Sequence, residues 1–204
     1  MNSHSRLLRM FLRTVLYITA CGVTATAETI TYTETVTTSG NLDGTPFTDA
    51  LVTLSLTGDT ANIANTGGGN YDLKGTLTIN VSGLASDALL DQAEVQVYQS
   101  VPYAGFFADS AIVLFTHNSS FASYALATPI GPITGASTGY TGGAYNTVSG
   151  GAFYLAGPFN DDHPSTFTAS VHGTVPEPGT FLLAFGGLGI AWASRAKSAW
   201  LNRK

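Results

Sequence analysis

The sequence predicts an all-β fold, an antiparallel two-sheet β-sandwich over residues 28–174, with an N-terminal signal helix before it and a C-terminal transmembrane helix after it. Three observations carry this. Apolar and hydroxyl-bearing residues alternate with a period of two in several short runs, which turns one strand face to a core and the other to water. Clusters of Gly, Asn and Asp separate the runs, as in Gly40-Asn41, Asp43-Gly44, Gly67-Gly68-Gly69-Asn70, Ser82-Gly83, Gly142-Gly143 and Gly150-Gly151. Such clusters make turns. No long 3.6-residue period interrupts the pattern between residues 28 and 174, so packed antiparallel layers are the simplest arrangement.

Residues 1–27 have the parts of a secretory signal peptide. Arg6, Arg9 and Arg13 precede the short apolar stretch Thr14 to Val23, and Ala25-Thr26-Ala27 stands before Glu28. Small side chains at Ala25 and Ala27 fit the narrow pockets of a signal peptidase, which places cleavage after Ala27. Ile18-Thr19-Ala20-Cys21 offers a rival site, a lipoprotein box that would set a lipid on Cys21. An uncleaved anchor would need about 18 apolar residues, more than this stretch holds. Cys21 is the only cysteine. Cleavage after Ala27 therefore leaves a domain with no disulfide and no thiol chemistry, held by its core alone.

The strands follow in order. Ile30, Tyr32, Glu34 and Val36 alternate with threonines, and Val52, Leu54 and Leu56 alternate with Thr53, Ser55 and Thr57. Leu73, Gly75, Leu77, Ile79 and Val81 alternate with Lys74, Thr76, Thr78 and Asn80. Ala93, Val95 and Val97 form a shorter run, and Phe167, Ala169 and Val171 alternate with Thr166, Thr168 and Ser170. The expected core includes Val52, Leu54, Leu56, Leu77, Ile79, Val95, Val97, Phe167 and Val171. Threonine suits the other face, because its β-branch fits the pleat and its hydroxyl meets water. Ser86 to Gln92 reads as one helical turn, Ala104 to Phe115 as a buried strand or short helix, and Pro129 to Gly151 as loop with one strand.

Charge is partitioned along the chain. Of eight Lys and Arg, three precede the first apolar stretch, four follow the last as Arg195, Lys197, Arg203 and Lys204, and only Lys74 lies between. Basic residues stay on the cytoplasmic side of bacterial membranes, so both ends read as inside and the middle as translocated. Between Glu28 and Thr174, twelve carboxylates stand against Lys74. Such a surface repels nucleic acid and anionic headgroups and keeps the domain soluble.

The tail has three parts: Val175-Pro176-Glu177-Pro178, then an apolar run with Phe181, Leu182, Leu183, Phe185, Leu188, Ile190 and Trp192, then the basic end. This resembles the PEP-CTERM sorting signal of exopolysaccharide-producing bacteria. The resemblance implies recognition by exosortase, a membrane-embedded cysteine protease-transpeptidase that cuts near the motif. It implies an ectodomain anchored in the inner membrane before processing, and on the cell surface or in the extracellular matrix afterwards. Pro176, Glu177 and Pro178 are the implied recognition residues, and the helix from Phe181 to about Trp200 would hold them at the membrane. The two prolines keep the motif extended, as a protease site requires. The basic cluster is split by Ala199-Trp200-Leu201, a departure from the common pattern. The middle domain, with Phe47-Thr48-Asp49-Ala50, is similar to β-rich passengers that precede such tails.

The expectation is a non-enzymatic surface or matrix protein with no cofactor and no bound metal. Gly135-Ala136-Ser137-Thr138-Gly139 matches a nucleophile elbow in letters, but an elbow needs a strand entering and a helix leaving. Asp161-Asp162-His163 reads as a turn, and Asp91 with Glu94 is a second acidic pair; glycoside hydrolysis needs two carboxyls facing across a cleft. Calcium would want several hard oxygens, which the loops Asn41 to Asp49, Asp59 and Asp161-Asp162 supply without a recognised repeat. His117 and His172 stand alone. The alternative is a carbohydrate-binding module contacting exopolysaccharide. Sugar sites use flat aromatic platforms, and both tryptophans, Trp192 and Trp200, lie in the tail. Tyr140 and Tyr145, flanking a Gly-rich loop, are then the candidate sugar contacts.

Overall fold

The alternating runs become long, paired strands. The computed structural model describes residues 28–109, 111–139, 143–157, 159 and 162–172. The signal segment with Ala25 and Ala27, the tail from Val175 to Lys204, Tyr140 and Asp161 lie outside them. The first hairpin joins β1 (Thr29–Leu42) to β2 (Thr45–Asp59). Its two-residue turn puts Asp43 at φ 53° and Gly44 at φ 82°, the left-handed pair that matches the twist of a tight hairpin. There follow β3 (Ala64–Gly67), β4 (Asn70–Gly75), β5 (Leu77–Val81), β6 (Asp87–Ala88), β7 (Ala93–Tyr98) and β8 (Tyr103–Ala108). Among the described residues the order is completed by β9 (Ala111–His117), β10 (Ile130–Thr138), β11 (Tyr145–Asn146), β12 (Ala152–Gly157) and β13 (Ser165–His172).

All pairings are antiparallel, and the strand order is β3-β4-β7-β8-β9-β10-β13-β1-β2-β5-β6, with β12 on β1 and β11 on β12. The sheet curls into a half-barrel. Its two halves are continuous through β10, which pairs with β13 over Ile130 to Gly135 and with β9 over Ala136 to Thr138. The register slips between Ile130 and Ile133, at Pro132, which has no N–H to give a ladder. The edges of the order, β3 and β6, are four and two residues long. Short edges offer little template for a foreign strand.

One core serves both halves. Val52, Leu54, Leu56, Leu77, Ile79, Val95, Val97 and Phe167 are buried together with Phe106, Phe121 and Phe153. Val171, expected in that set, is only partly buried, one residue before the end of β13. Three local expectations need correction. The run from Leu73 to Val81 is two strands, β4 pairing with β7 and β5 with β2. Ser86 to Gln92 holds no helical turn: β6 pairs with β5, and Leu89 bridges to Thr147. Pro129 to Gly151 contains two strands, β10 and β11, in place of one. Ala104 to Phe115 resolves to strand on both sides of a tight turn.

Among the described residues no helix is long and apolar enough to cross a membrane. The only helical pieces there are 3-10 turns at Thr60–Asn62 and Ser119–Ser123. Asp59 and Asn118 cap them by accepting from Ala61 N and Ser120 N.

Candidate functional site on the face of β4, β7, β8 and β9

Strand alternation decides which side chains share this face. Leu73, Val95, Val97, Ala104, Phe106 and Leu114 point into the core, so their neighbours along each strand point the other way. Registry then aligns those neighbours in ranks across four strands. One rank runs Asn70, Tyr98, Tyr103 and His117; the next runs Asp72, Gln96, Gly105 and Phe115. Lys74 stands opposite Glu94 in a third.

The polar half of the face is a cavity of about 240 Å³ lined by Thr66, Asn70, Asp72, Lys74, Glu94 and Gln96, with Tyr71 and Tyr98 at its walls. A hydrogen-bond chain orders one wall. The Tyr98 phenol donates to Gln96 Oε1 at 2.9 Å, Gln96 Nε2 donates to Glu94 Oε2 at 2.8 Å, and Lys74 Nζ lies 3.2 Å from Glu94 Oε1. The other wall is unsatisfied: Asn70 Oδ1 and Asp72 Oδ1 are buried and accept no hydrogen bond. Burial, and next the Glu94 charge, push the Asp72 carboxyl above its ordinary value, with Lys74 opposing.

The aromatic half is built around Gly105. Tyr103 lies 4.7 Å from Tyr98 and 4.8 Å from Phe115 between ring centroids, and 5.1 Å from His117. Phe115 is buried yet stands apart from the core cluster, because it lies on the outer face beneath the two tyrosines. Tyr98 and Tyr103 are half-buried. Burial raises the pKa of both phenols, Glu94 and Asp72 adding to the effect at Tyr98 and Tyr98 itself at Tyr103, so the rings remain neutral donors.

The residues singled out from the sequence are scattered. Tyr145 is 4% exposed, and its phenol donates to the Ile112 carbonyl at 2.9 Å. That corrects its reading as a surface platform: the ring packs in the core and its polar tip is used by the backbone. Ser137 lies inside β10, which continues through Thr138, and its hydroxyl donates to the His163 carbonyl. His117 Nε2 lies 3.1 Å from Thr138 Oγ1, and His172 Nε2 lies 3.4 Å from Ser170 Oγ. Asp91 and Glu94 part company. Glu94 joins the face just described, while Asp91 sits by Asp109, whose carboxyl is pushed up by burial and by the Asp91 charge. Among the described residues no three His, Cys, Asp or Glu are placed to hold a metal ion.

Sequence reasoning missed this face, though it left a mark. Between Ile30 and Val36, Val52 and Leu56, and Phe167 and Ala169 the outward residues are Thr and Ser, whereas on β4 and β7 they are Asp, Lys, Glu, Gln and Tyr. No family model, curated protein or solved structure matches the chain.

Proposed function

We propose that this chain is an exported, non-enzymatic surface or extracellular-matrix protein, sorted and processed by exosortase through its C-terminal tail. The observation that carries the reading is the partition of basic residues, with Lys74 alone between Arg13 and Arg195. Signal peptidase would cut after Ala27, the inner membrane would hold the precursor by the segment from Phe181, and exosortase would read Pro176-Glu177-Pro178. The ectodomain is then released to the exopolysaccharide matrix. In this reading the two halves of the curled sheet act as facing layers of a sandwich, with stability from packing instead of disulfides.

Its strand faces suit that setting. The outer side of β1, β2 and β13 carries Thr31, Thr33, Thr35, Thr53, Ser55 and Thr168, a hydroxyl surface that stays hydrated without charge. The carboxylates of the β4–β7 face stand side by side on neighbouring strands, Glu94 engaged by Lys74 and Gln96. Hydrolysis would need them opposed across a cleft, so the arrangement favours binding over catalysis.

Glu177→Ala in a host carrying exosortase tests the proposal. The variant should stay full-length and membrane-retained while the wild type loses its tail. On this reading position 177 belongs to a linker, so folding stability should change by no more than about 0.5 kcal/mol. Mass spectrometry of both termini would also decide between Ala27 and Cys21. Equal behaviour of variant and wild type, whether both are released or both retained, would reduce the motif to a linker.

A further inference from the structure

We infer that the face of β4, β7, β8 and β9 is a binding site for a neutral, hydroxyl-rich glycan chain. The inference stands on the face itself and does not depend on the tail.

Two physical features point to one kind of ligand. Asn70 Oδ1 and Asp72 Oδ1 are buried acceptors without donors. Both residues line the cavity, so a group that enters it and pairs with these oxygens must donate. Sugar hydroxyls donate, and they also accept, which suits the Lys74 ammonium nearby. The second feature is the row of rings from Tyr98 to Tyr103 above Phe115. A pyranose presents C–H groups on its flat sides and hydroxyls at its rim. Half-buried tyrosines match both parts, with an apolar ring and a polar tip.

The layout suits a chain more than a single small molecule. Donorless acceptors sit on β4 and the aromatic row crosses β7, β8 and β9, in ranks aligned by registry. Three interstrand steps of about 4.8 Å make a track roughly 14 Å wide. Gly105 lets the Phe115 ring settle over its backbone, where any Cβ would strike that ring.

Charge selects against the other polymers. Asp72 and Glu94 outnumber Lys74 on the face, and twelve carboxylates stand against that one lysine over residues 28–174. A uronate-rich or sulfated polysaccharide, or a nucleic acid, would meet repulsion at the site and around it. An uncharged chain meets none.

Affinity gel electrophoresis of the full-length protein in a mild non-ionic detergent gives the test, with dextran, hydroxyethylcellulose or alginate cast in the gel. The wild type should be retarded by at least one of the two neutral polymers and not by alginate. Asn70→Ala/Asp72→Ala, which removes both donorless acceptors and no ring, should weaken retardation at least tenfold. Tyr103→Ala should do the same where circular dichroism shows it folded; if it unfolds, the double variant alone decides. Absence of retardation by both neutral polymers would overturn the inference. So would retardation by alginate alone, or retardation by a neutral polymer that the folded double variant retains in full.

Discussion

Glu34 lies on β1 with its side chain fully buried, where Thr116 Oγ1 donates to Oε1 at 2.7 Å and Ser165 Oγ lies 2.6 Å from the same hydroxyl. Its other oxygen, Oε2, has no partner. Burial raises its pKa to about 8, against 4.5 when solvated, the two hydroxyls only partly offsetting the cost. The folded protein thus keeps a proton that the unfolded chain releases between those values. More protons bound to the folded form means that stability falls as pH rises. The contribution of Glu34 is intact below pH 4.5 and fully lost above about pH 8. Glu34→Gln keeps the shape and the accepting oxygen but cannot ionise. Relative to the wild type it should gain on the order of a few kcal/mol between pH 5 and pH 9. Thermal melts across that range check it, and parallel pH profiles of the two proteins would refute the burial argument. Alternation on β1 marks position 34 as inward-facing; what the sequence hides is the pair of hydroxyls, which come from β9 and β13.

At the scale of elements, the pairing of β8 with β9 depends on one missing side chain. A Cβ at Gly105 would meet the Leu114 carbonyl oxygen and lie 2.5 Å from the Phe115 ring. Gly105→Ala should therefore cost roughly 2–3 kcal/mol, as overpacking against backbone does. Urea titrations followed by circular dichroism read this directly, and a loss under 0.5 kcal/mol would show that β8 shifts freely. The elements also show what a linear reading can and cannot see. β1, β2, β7 and β13 were legible because each keeps one partner face throughout its alternation. In the sequence β4 and β5 look like one strand, because Leu73, Leu77 and Ile79 hold the same parity across the break at Thr76. Only the change of partner, from β7 to β2, separates them, and partners lie far away in sequence. β10 was hidden for the opposite reason: Gly131, Pro132 and Gly135 look like loop, yet β13 and β9 supply its ladder. The candidate face was illegible for the same cause, since Asn70, Tyr98, Tyr103 and His117 meet only through three registers.

Over the whole molecule, the antiparallel all-β class followed from period and turns, while curling and continuity are properties of strand order. Charge also acts at this scale. With Glu34 protonated, the other eleven carboxylates between Glu28 and Thr174 repel one another against the single Lys74. Salt shortens the screening length from about 30 Å at 0.01 M to about 3 Å at 1 M. Raising sodium chloride from 0.01 M to 0.5 M should thus raise the melting temperature by a few degrees; an unchanged or lowered value would show that the carboxylates are already well separated. Strand order has a mechanical consequence as well. Thr29 stands opposite His172, at the open end of a β13 that is laddered to β1 on one side and β10 on the other. A pull on residue 172 along its strand loads both ladders in shear, many rungs at once, instead of peeling them one by one. The last strand is in effect a riveted strap, and a domain tugged by its C-terminal end would yield only when both seams fail together.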